Sequence, residues 1–204
     1  MKLYYKPGVC SQAAHITLNE IGATFDLEQV DTKTKRTATG ADYTAINPNG
    51  YVPALTLDDG EILLEGPAIL QYLADTAPDS GLAPPSGTIE RTRVQQYLNF
   101  TASELHKSFS PFFTDEPLTD AARQAAVRKL ASRLDYVEKL LADGRPYLTG
   151  ETFTIADAYL FVVASWTGPT GIGLDPWPNV EAFVARVRAR PQVEKSMRAE
   201  GLLH

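Results

Sequence analysis

Short apolar runs alternate with amphipathic segments through the first 80 residues of the chain. An apolar run at residues 2–5 ends at Pro7-Gly8, and period-two alternation predicts a second strand at residues 25–30. Asp59-Gly60 separates two further apolar runs, at 54–57 and 62–64, and favours a hairpin with a tight primed turn. Helical spacing occurs at residues 11–21, 41–46 and 66–76. The order βαβ-α-ββα predicts a thioredoxin-like domain with a small mixed sheet.

From residue 89 onward the pattern is helical, and no strand pattern competes with it. A long helix is predicted at residues 123–142, where apolar residues recur at steps of three and four. Thr154-Ile155-Ala156-Asp157 has the spacing of a capping box at the start of a buried helix, which is a folding signal. Because proline and glycine interrupt the chain before residue 89, we expect a thioredoxin-like domain at 1–80, a linker at 81–88 and an all-helical domain at 89–204.

Composition narrows the classes of partner and compartment. The net charge of −6 and the pI of about 5.1 argue against a surface for nucleic acid or anionic membranes. No apolar stretch approaches the ~20 residues that span a bilayer, and the N-terminus lacks the pattern of a secretory signal. A single cysteine, Cys10, cannot form an intrachain disulfide. These features predict a soluble protein of the cytoplasm.

Cys10 is the first candidate for chemistry, because it follows a strand and a Pro-Gly loop at the start of a helix. Helix N-termini favour anions and lower the pKa of a thiol, so we expect a reactive thiolate there. The position three residues on is Ala13, which excludes a dithiol cycle within one chain and leaves a mixed disulfide with an external thiol. A buried, inert cysteine is the alternative. His15, on the same helix, is expected to be structural.

Two motifs in the first domain predict recognition of an extended peptide. Val52-Pro53 precedes the hairpin, where a cis proline in a thioredoxin-like fold exposes backbone groups for pairing, although a trans turn proline is the general rule. Glu65-Gly66 lies where a strand meets a helix. There the Gly66 N–H could hold a carboxylate and Glu65 an ammonium, or Glu65 could simply favour the helix dipole without a ligand.

A third candidate is a polar stripe at the start of the helical domain. Steps of 100° per residue align Asn99, Ser103, His106 and Ser110, with Lys107 at the edge and aromatic residues opposite. A solvated helix face is the alternative reading of this pattern.

Five motifs together resemble beta-class glutathione S-transferases, and the resemblance runs from end to end. They are Tyr4 to Ser11 around Cys10, Asn47 to Leu55, Glu65 to Ile69, Glu104 to Lys107 and Phe153 to Leu160. The resemblance implies the two-domain glutathione transferase architecture, a homodimer and glutathione as co-substrate, with no metal. Gly66 replaces the serine found in many other classes, which removes a hydroxyl contact.

The resemblance also assigns roles to residues. Cys10 and His106 are the implied catalytic residues. The implied glutathione-binding residues are Cys10, Lys35, Val52, Pro53, Glu65, Gly66, Asn99, Ser103, Glu104, Leu105, His106 and Lys107, and Asn99 and Glu104 could reach the neighbouring subunit's ligand. A pocket for a hydrophobic electrophile is expected from Tyr51, Phe112, Phe113, Tyr159 and Trp166.

Three functions follow as hypotheses. The first is detoxification by conjugation, in which the glutathione thiolate attacks hydrophobic electrophiles. The second is glutathione-dependent reduction of disulfides or peroxides through a mixed disulfide at Cys10. The third is a carrier that holds hydrophobic ligands without turnover.

Overall fold

A computed structural model describes residues 1–203, which form two compact units. The first unit comprises residues 1–85 together with the described residues from 189 onward, and the second comprises residues 86–188. The last helix therefore groups with the thioredoxin-like part, whereas the sequence places it in the helical domain. A compact unit is not the same as a domain that folds independently. The predicted domains at 1–80 and 89–204 and the predicted linker at 81–88 therefore stay predictions.

The first unit is built on a five-stranded sheet in the order β3-β2-β1-β4-β5. The strands are β1 (Lys2–Tyr5), β2 (Asp26–Asp31), β3 (Arg36–Thr37), β4 (Ala54–Thr56) and β5 (Ile62–Leu64). β1 pairs in parallel with β2 and antiparallel with β4, and the hairpin of β4 and β5 is antiparallel. The helices of this unit are α1 (Ser11–Glu20), α2 (Gly66–Thr76) and α8 (Pro191–Ala199). This confirms the thioredoxin-like plan.

Side chains alternate across β1 and so supply both faces of the sheet. Leu3 and Tyr5 belong to a core that includes Leu18 of α1 and Leu73 of α2. Tyr4 faces the other core, around the fully buried Tyr43. Each face of the small sheet is thereby covered by apolar side chains.

Two local predictions in this unit are wrong. The segment at 41–46 is not a helix but a single 3-10 turn, Tyr43–Ala45, because Asn47 and Pro48 follow at once and end it. The hairpin does form, but its turn is not a primed one, since Gly60 has a φ of +89° and Asp59 has no positive φ. The Gly60 N–H donates to the Leu57 carbonyl, and the Leu57 N–H donates to the backbone carbonyl of Glu61. These bonds close a three-residue loop.

The second unit is entirely helical, as the sequence predicts. Its α-helices are α3 (Ile89–Phe100), α4 (His106–Ser108), α5 (Asp120–Leu141), α6 (Ile155–Ser165) and α7 (Pro178–Arg188). The capping box at α6 is confirmed: the Asp157 carboxylate accepts from the Thr154 N–H and hydroxyl and from the Leu148 N–H, each at 2.8 Å. Burial raises the pKa of Asp157 to about 6. None of the helices within residues 1–203 is long and apolar enough to cross a bilayer.

α3 continues into a π-helical turn, Thr101–Leu105, before α4 begins. A π turn closes i→i+5 hydrogen bonds and so holds an extra residue. Every side chain after it is therefore rotated relative to the α-helical wheel that the sequence pattern assumes.

Candidate functional site

The start of α1 brings Cys10 against the backbone of Val52. The Cys10 thiol donates to the Val52 carbonyl oxygen, with an Sγ–O distance of 3.1 Å. Cys10 is the N-cap residue of α1 and its side chain is half-buried. Helix N-termini carry partial positive charge, which would stabilise an anion beside this position, while the hydrogen bond to the carbonyl holds the Cys10 thiol in its protonated form. The structure thus brings the candidate thiol together with a residue that the sequence singles out for peptide recognition.

The loop that carries Val52 is held by hydrogen bonds from two buried side chains. The Tyr51 carbonyl accepts from the Tyr43 hydroxyl and from the Asn47 Nδ2 atom, each at 2.7 Å. Burial is the main cause that raises the pKa of Tyr43 to about 12, so its hydroxyl stays a donor. The Val52-Pro53 bond is cis, as expected from its place in the fold. A Cβ built on Gly66 would lie 3.9 Å from the Pro53 Cγ atom, which places the start of α2 beside this loop.

Positive φ angles mark two further predicted residues. Among residues 1–203, Lys35 (φ 58°) and Glu65 (φ 66°) are the non-glycine residues with positive φ. Such backbone is costly and concentrates at functional sites. The Lys35 Nζ atom donates to the Gly50 carbonyl at 3.1 Å, two residues before Val52. The two non-glycine residues with this strained backbone are thus both residues that the sequence predicts as glutathione ligands.

At Glu65 and Gly66 the chain turns from β5 into α2. The Glu65 carbonyl accepts the first helical hydrogen bonds, from Ala68 and Ile69, each at 3.0 Å. Pro67 has no N–H, so Gly66 is the donor at the opening of this helix. The Glu65 side chain is exposed beside it. An exposed carboxylate next to a helix-end N–H can bind both charges of an α-amino acid.

In the second unit the π turn separates His106 from the predicted polar stripe. The His106 ring lies edge-on to Trp166, with centroids 4.8 Å apart, and its Nδ1 atom is 2.9 Å from the Tyr159 hydroxyl. Asn99 and Ser103 are exposed, and Ser110 begins a separate 3-10 turn. The single stripe is therefore wrong, because the extra residue of the π turn rotates His106 toward aromatic side chains.

Burial and then the nearby Lys107 charge lower the pKa of His106 to about 4. The imidazole is therefore neutral near pH 7. If the Tyr159 hydroxyl donates to Nδ1, the proton of the ring lies on Nε2, which is then a donor.

The remaining predicted residues of this unit have separate surroundings. Glu104 pairs with Arg133, with an Oε2–Nη2 distance of 2.8 Å, and Lys107 is exposed. Leu105 is fully buried, so only its backbone could contact a ligand. The sequence did not single out Arg133, which has no local motif and is reached only through tertiary packing.

The structure joins most of the predicted electrophile pocket into one aromatic cluster. Phe113 and Trp166 have ring centroids 5.4 Å apart, and Phe109 contacts both Phe112 and Trp166. Tyr159 and Trp166 are buried, whereas Phe113 is 55% exposed. Tyr51 belongs to the other unit and is 67% exposed. The sequence did not assign Phe109 to the pocket, although it lies three residues after His106, one helical turn away.

A cavity of about 320 Å³ adjoins this cluster on the loop before α5. It is lined by Pro111, Phe112, Thr114, Glu116, Pro117, Leu118 and Arg123. The Arg123 guanidinium lies 5.6 Å from the centroid of the Phe112 ring. Only Phe112 of this lining was predicted. Within residues 1–203, no cluster of His, Cys, Asp and Glu side chains has the arrangement of a metal site.

Comparison with known proteins places the whole chain in one family. Residues 8–76 match the N-terminal domain of glutathione S-transferases, and residues 100–191 match their C-terminal domain. Glutathione S-transferase GstA of Escherichia coli O157:H7 is 47% identical over 203 residues, which are 99% of this chain and all of that protein.

Similar solved structures support the same family assignment. The beta-class glutathione S-transferase of Sphingomonas chungbukensis superposes with a TM-score of 0.95 at 46% identity, covering both chains completely. A sphingomonad glutathione S-transferase, solved in complex with glutathione, has a TM-score of 0.94 at 43% identity and also covers both chains completely. The chain belongs to the glutathione S-transferase family, with beta-class character, and is a glutathione transferase with glutathione as its co-substrate.

Proposed function

We propose that the thioredoxin-like unit binds glutathione as an extended peptide along Val52 and Pro53, with the glutathione sulfur beside Cys10. The observation that carries this proposal is the contact of 3.1 Å between the Cys10 thiol and the Val52 carbonyl. A peptide that pairs with the Val52 backbone would present its own cysteinyl group to Cys10. The glutathione thiolate would then lie at the start of α1, where the helix dipole stabilises negative charge.

The γ-glutamyl end of glutathione carries an ammonium and a carboxylate, which match Glu65 and Gly66. Glu65 would accept from the ammonium, and the Gly66 N–H would donate to the carboxylate. Lys35, held near Gly50, would offset the negative charge of the tripeptide. Residues 1–80 hold 5 Lys or Arg against 11 Asp or Glu, so a local cation is needed beside an anionic ligand.

Residues of the helical unit are proposed to complete the reaction. His106, neutral and paired with Tyr159, would donate a hydrogen bond from Nε2. The family resemblance supports contacts from Asn99, Ser103, Glu104, Leu105 and Lys107. The aromatic cluster of Phe112, Phe113, Tyr159 and Trp166 would bind the apolar part of the electrophile. The reaction is attack of the glutathione thiolate on a hydrophobic electrophile.

A homodimer in the cytoplasm is the proposed state of the enzyme. Ile62 on the edge strand β5 and Tyr72 on α2 are each 38% exposed and offer apolar surface for subunit contact. A lone cysteine is typical of a reducing compartment. Light scattering is expected to give twice the chain mass of 22.3 kDa, and a mass of one chain at micromolar concentration would contradict the dimer.

Replacing Glu65 tests the binding of the amino-acid head group. Glu65→Gln removes a charge-assisted hydrogen bond, which should weaken glutathione binding by about tenfold or more. Titration calorimetry measures the change. Glu61→Gln is the matched control, because Glu61 carries the same charge in the neighbouring hairpin loop and is exposed. Equal affinities of the two variants would refute the role of Glu65.

Replacing Cys10 separates binding from chemistry. Cys10→Ala and the isosteric Cys10→Ser should bind glutathione within about threefold of wild type, yet conjugate chlorodinitrobenzene about tenfold more slowly. Unchanged turnover in both variants would show that Cys10 is not needed for conjugation.

The same variants test the reductase hypothesis. After incubation with oxidised glutathione, the intact mass should show one glutathionyl adduct on wild type and none on the variants. A folded wild type without an adduct would count against the reductase hypothesis.

The protonation state of His106 is directly measurable. Since its pKa is lowered to about 4, its ring resonances should not titrate between about pH 5.5 and pH 8. The unfolded chain takes up that proton near pH 6.5, so the stability that neutral His106 contributes is present above this pH and is lost as the pH falls toward 4. NMR titration of the ring, assigned with His106→Gln, checks this. A midpoint near 6.5 in the folded protein would contradict it.

A further inference from the structure

The cavity on the loop before α5 combines an apolar wall with a guanidinium. Its apolar side is formed by four residues, Pro111, Phe112, Pro117 and Leu118. Its charged side chains are Arg123 and Glu116. A volume of about 320 Å³ is enough for a small organic molecule or for one end of a larger one, since ligand pockets begin at about 300 Å³. All of these residues belong to the second unit.

The Arg123 guanidinium is held in place by two contacts. Its Cζ atom lies 5.6 Å from the centroid of the Phe112 ring, and its Nη2 atom donates to the Thr170 carbonyl at 3.1 Å. Thr170 lies in the turn after α6, where its N–H and its hydroxyl both donate to the Trp166 carbonyl. The guanidinium is therefore fixed beside the aromatic cluster to which Phe112 and Trp166 belong.

These two contacts leave most of the hydrogen-bonding capacity of Arg123 for a ligand. A guanidinium carries five N–H donors and binds a carboxylate best through two parallel hydrogen bonds. Among the side chains of residues 1–203, no carboxylate forms an ion pair with Arg123. A fixed cation at an apolar wall matches a ligand that is apolar except for one anionic group.

Glu116 is the opposing charge in the lining, but it is held differently. Its backbone carbonyl accepts from the Thr114 hydroxyl at 3.0 Å, while its side chain is exposed. The neighbouring Asp115 and Asp120 are exposed as well. Exposed carboxylates are well solvated and screened by salt, so their repulsion of a bound anion is weak. The fixed charge in the cavity is thus the positive one.

Phe112 joins this cavity to the aromatic cluster. Its ring centroid lies 6.4 Å from that of Phe109, and the Phe109 centroid lies 5.6 Å from that of Trp166. Phe112 is therefore a wall that the cluster and the cavity share. A ligand ring packed on the cluster lies one aromatic side chain away from the Arg123 guanidinium.

We propose that the electrophile of this enzyme is an aromatic compound that carries a carboxylate, with its ring on the aromatic cluster and its carboxylate bound by Arg123 in the cavity. This inference rests on the proposed binding of the electrophile at the cluster, and it makes Arg123 a specificity-determining residue. In the reaction the glutathione sulfur forms a bond to a ring carbon, and the leaving group departs from that carbon with the electron pair of the broken bond. The carboxylate takes no part in this step.

The first test measures binding without glutathione, so that it does not depend on conjugation. The probes are dinitrobenzoate and its neutral amide, dinitrobenzamide, which share the same ring. In titration calorimetry on the full chain, Arg123→Gln should weaken binding of dinitrobenzoate by about fivefold or more, because a charge-assisted pair of hydrogen bonds is lost. The same variant should change the affinity for dinitrobenzamide by less than about twofold.

The same helix supplies the matched control. Arg128 is exposed on α5 like Arg123, but it lies outside the lining of the cavity. Arg128→Gln therefore removes the same charge from the same helix and should leave both affinities within about twofold of wild type. Because both arginines are exposed, both variants should fold normally.

Two further variants test the chemistry of the contact. Arg123→Lys keeps the charge but lacks the planar pair of donors, so it should recover only part of the affinity for dinitrobenzoate. Glu116→Gln removes the opposing charge, so it should tighten binding of dinitrobenzoate and leave that of dinitrobenzamide unchanged.

Conjugation assays extend the test to turnover, with chlorodinitrobenzoate and chlorodinitrobenzamide as the electrophiles. The glutathione thiolate displaces chloride from both compounds. Arg123→Gln should raise KM for chlorodinitrobenzoate about fivefold and change kcat by less than about twofold, because the carboxylate lies away from the reacting carbon and contributes binding alone. KM for chlorodinitrobenzamide should stay within about twofold of wild type.

Equal losses of affinity for the acid and the amide in Arg123→Gln would overturn the proposal. Equal effects of Arg123→Gln and Arg128→Gln would overturn it too, and so would the absence of binding at millimolar dinitrobenzoate. Failure of the proposed function gives a different pattern. In that case neither chloro compound is conjugated by wild type, whereas dinitrobenzoate still binds and still loses affinity in Arg123→Gln.

Discussion

The contact between the start of α1 and the backbone of Val52 is the constraint on which the rest of this structure depends. A thiol near a helix N-terminus is a common arrangement. Here the Cys10 thiol also contacts the Val52 backbone, which would pair with a peptide. The sheet order makes this possible, because β1 leads into the Cys10 loop and pairs with β4, which begins just after Val52-Pro53. One end of the sheet therefore presents both the Cys10 thiol and the Val52 backbone.

Buried polar groups support this end of the sheet from two sides. Tyr43 and Asn47 hold the Tyr51 carbonyl on one side, and Glu200 holds Gly8 on the other. Each of these contacts fixes a loop that would otherwise be free, and fixed loops lower the cost of ordering the site when a ligand binds. The positive φ angles of Lys35 and Glu65 fit the same view, since strained backbone persists only where the surrounding structure holds it.

Much of the fold followed from the sequence because its signals are local. Strands and helices of the first unit appear as changes of period, and the Thr154–Asp157 box marks the start of α6 by itself. Cys10, Val52 and Glu65 could be chosen because each lies where a predicted element ends. The cis bond at Val52-Pro53 followed from topology rather than from composition.

Other features depend on contacts between distant residues, and the sequence could not show them. The π turn at Thr101–Leu105 has no residue signature, and it moved His106 from a polar stripe into an aromatic cluster. Glu200 and Gly8 are 192 residues apart, so their hydrogen bond was invisible until α8 was placed against α1. For the same reason the sequence could not show that the last helix groups with residues 1–85.

The central claim is that glutathione lies along Val52 and Gly66. Amide NMR shifts, followed while glutathione is added to the labelled protein, test it most directly. The account predicts that the amide signals of Val52 and Gly66 shift together and saturate with one affinity. If both signals stay in place while millimolar glutathione is present, or if the shifts are confined to residues remote from Cys10, the account is wrong.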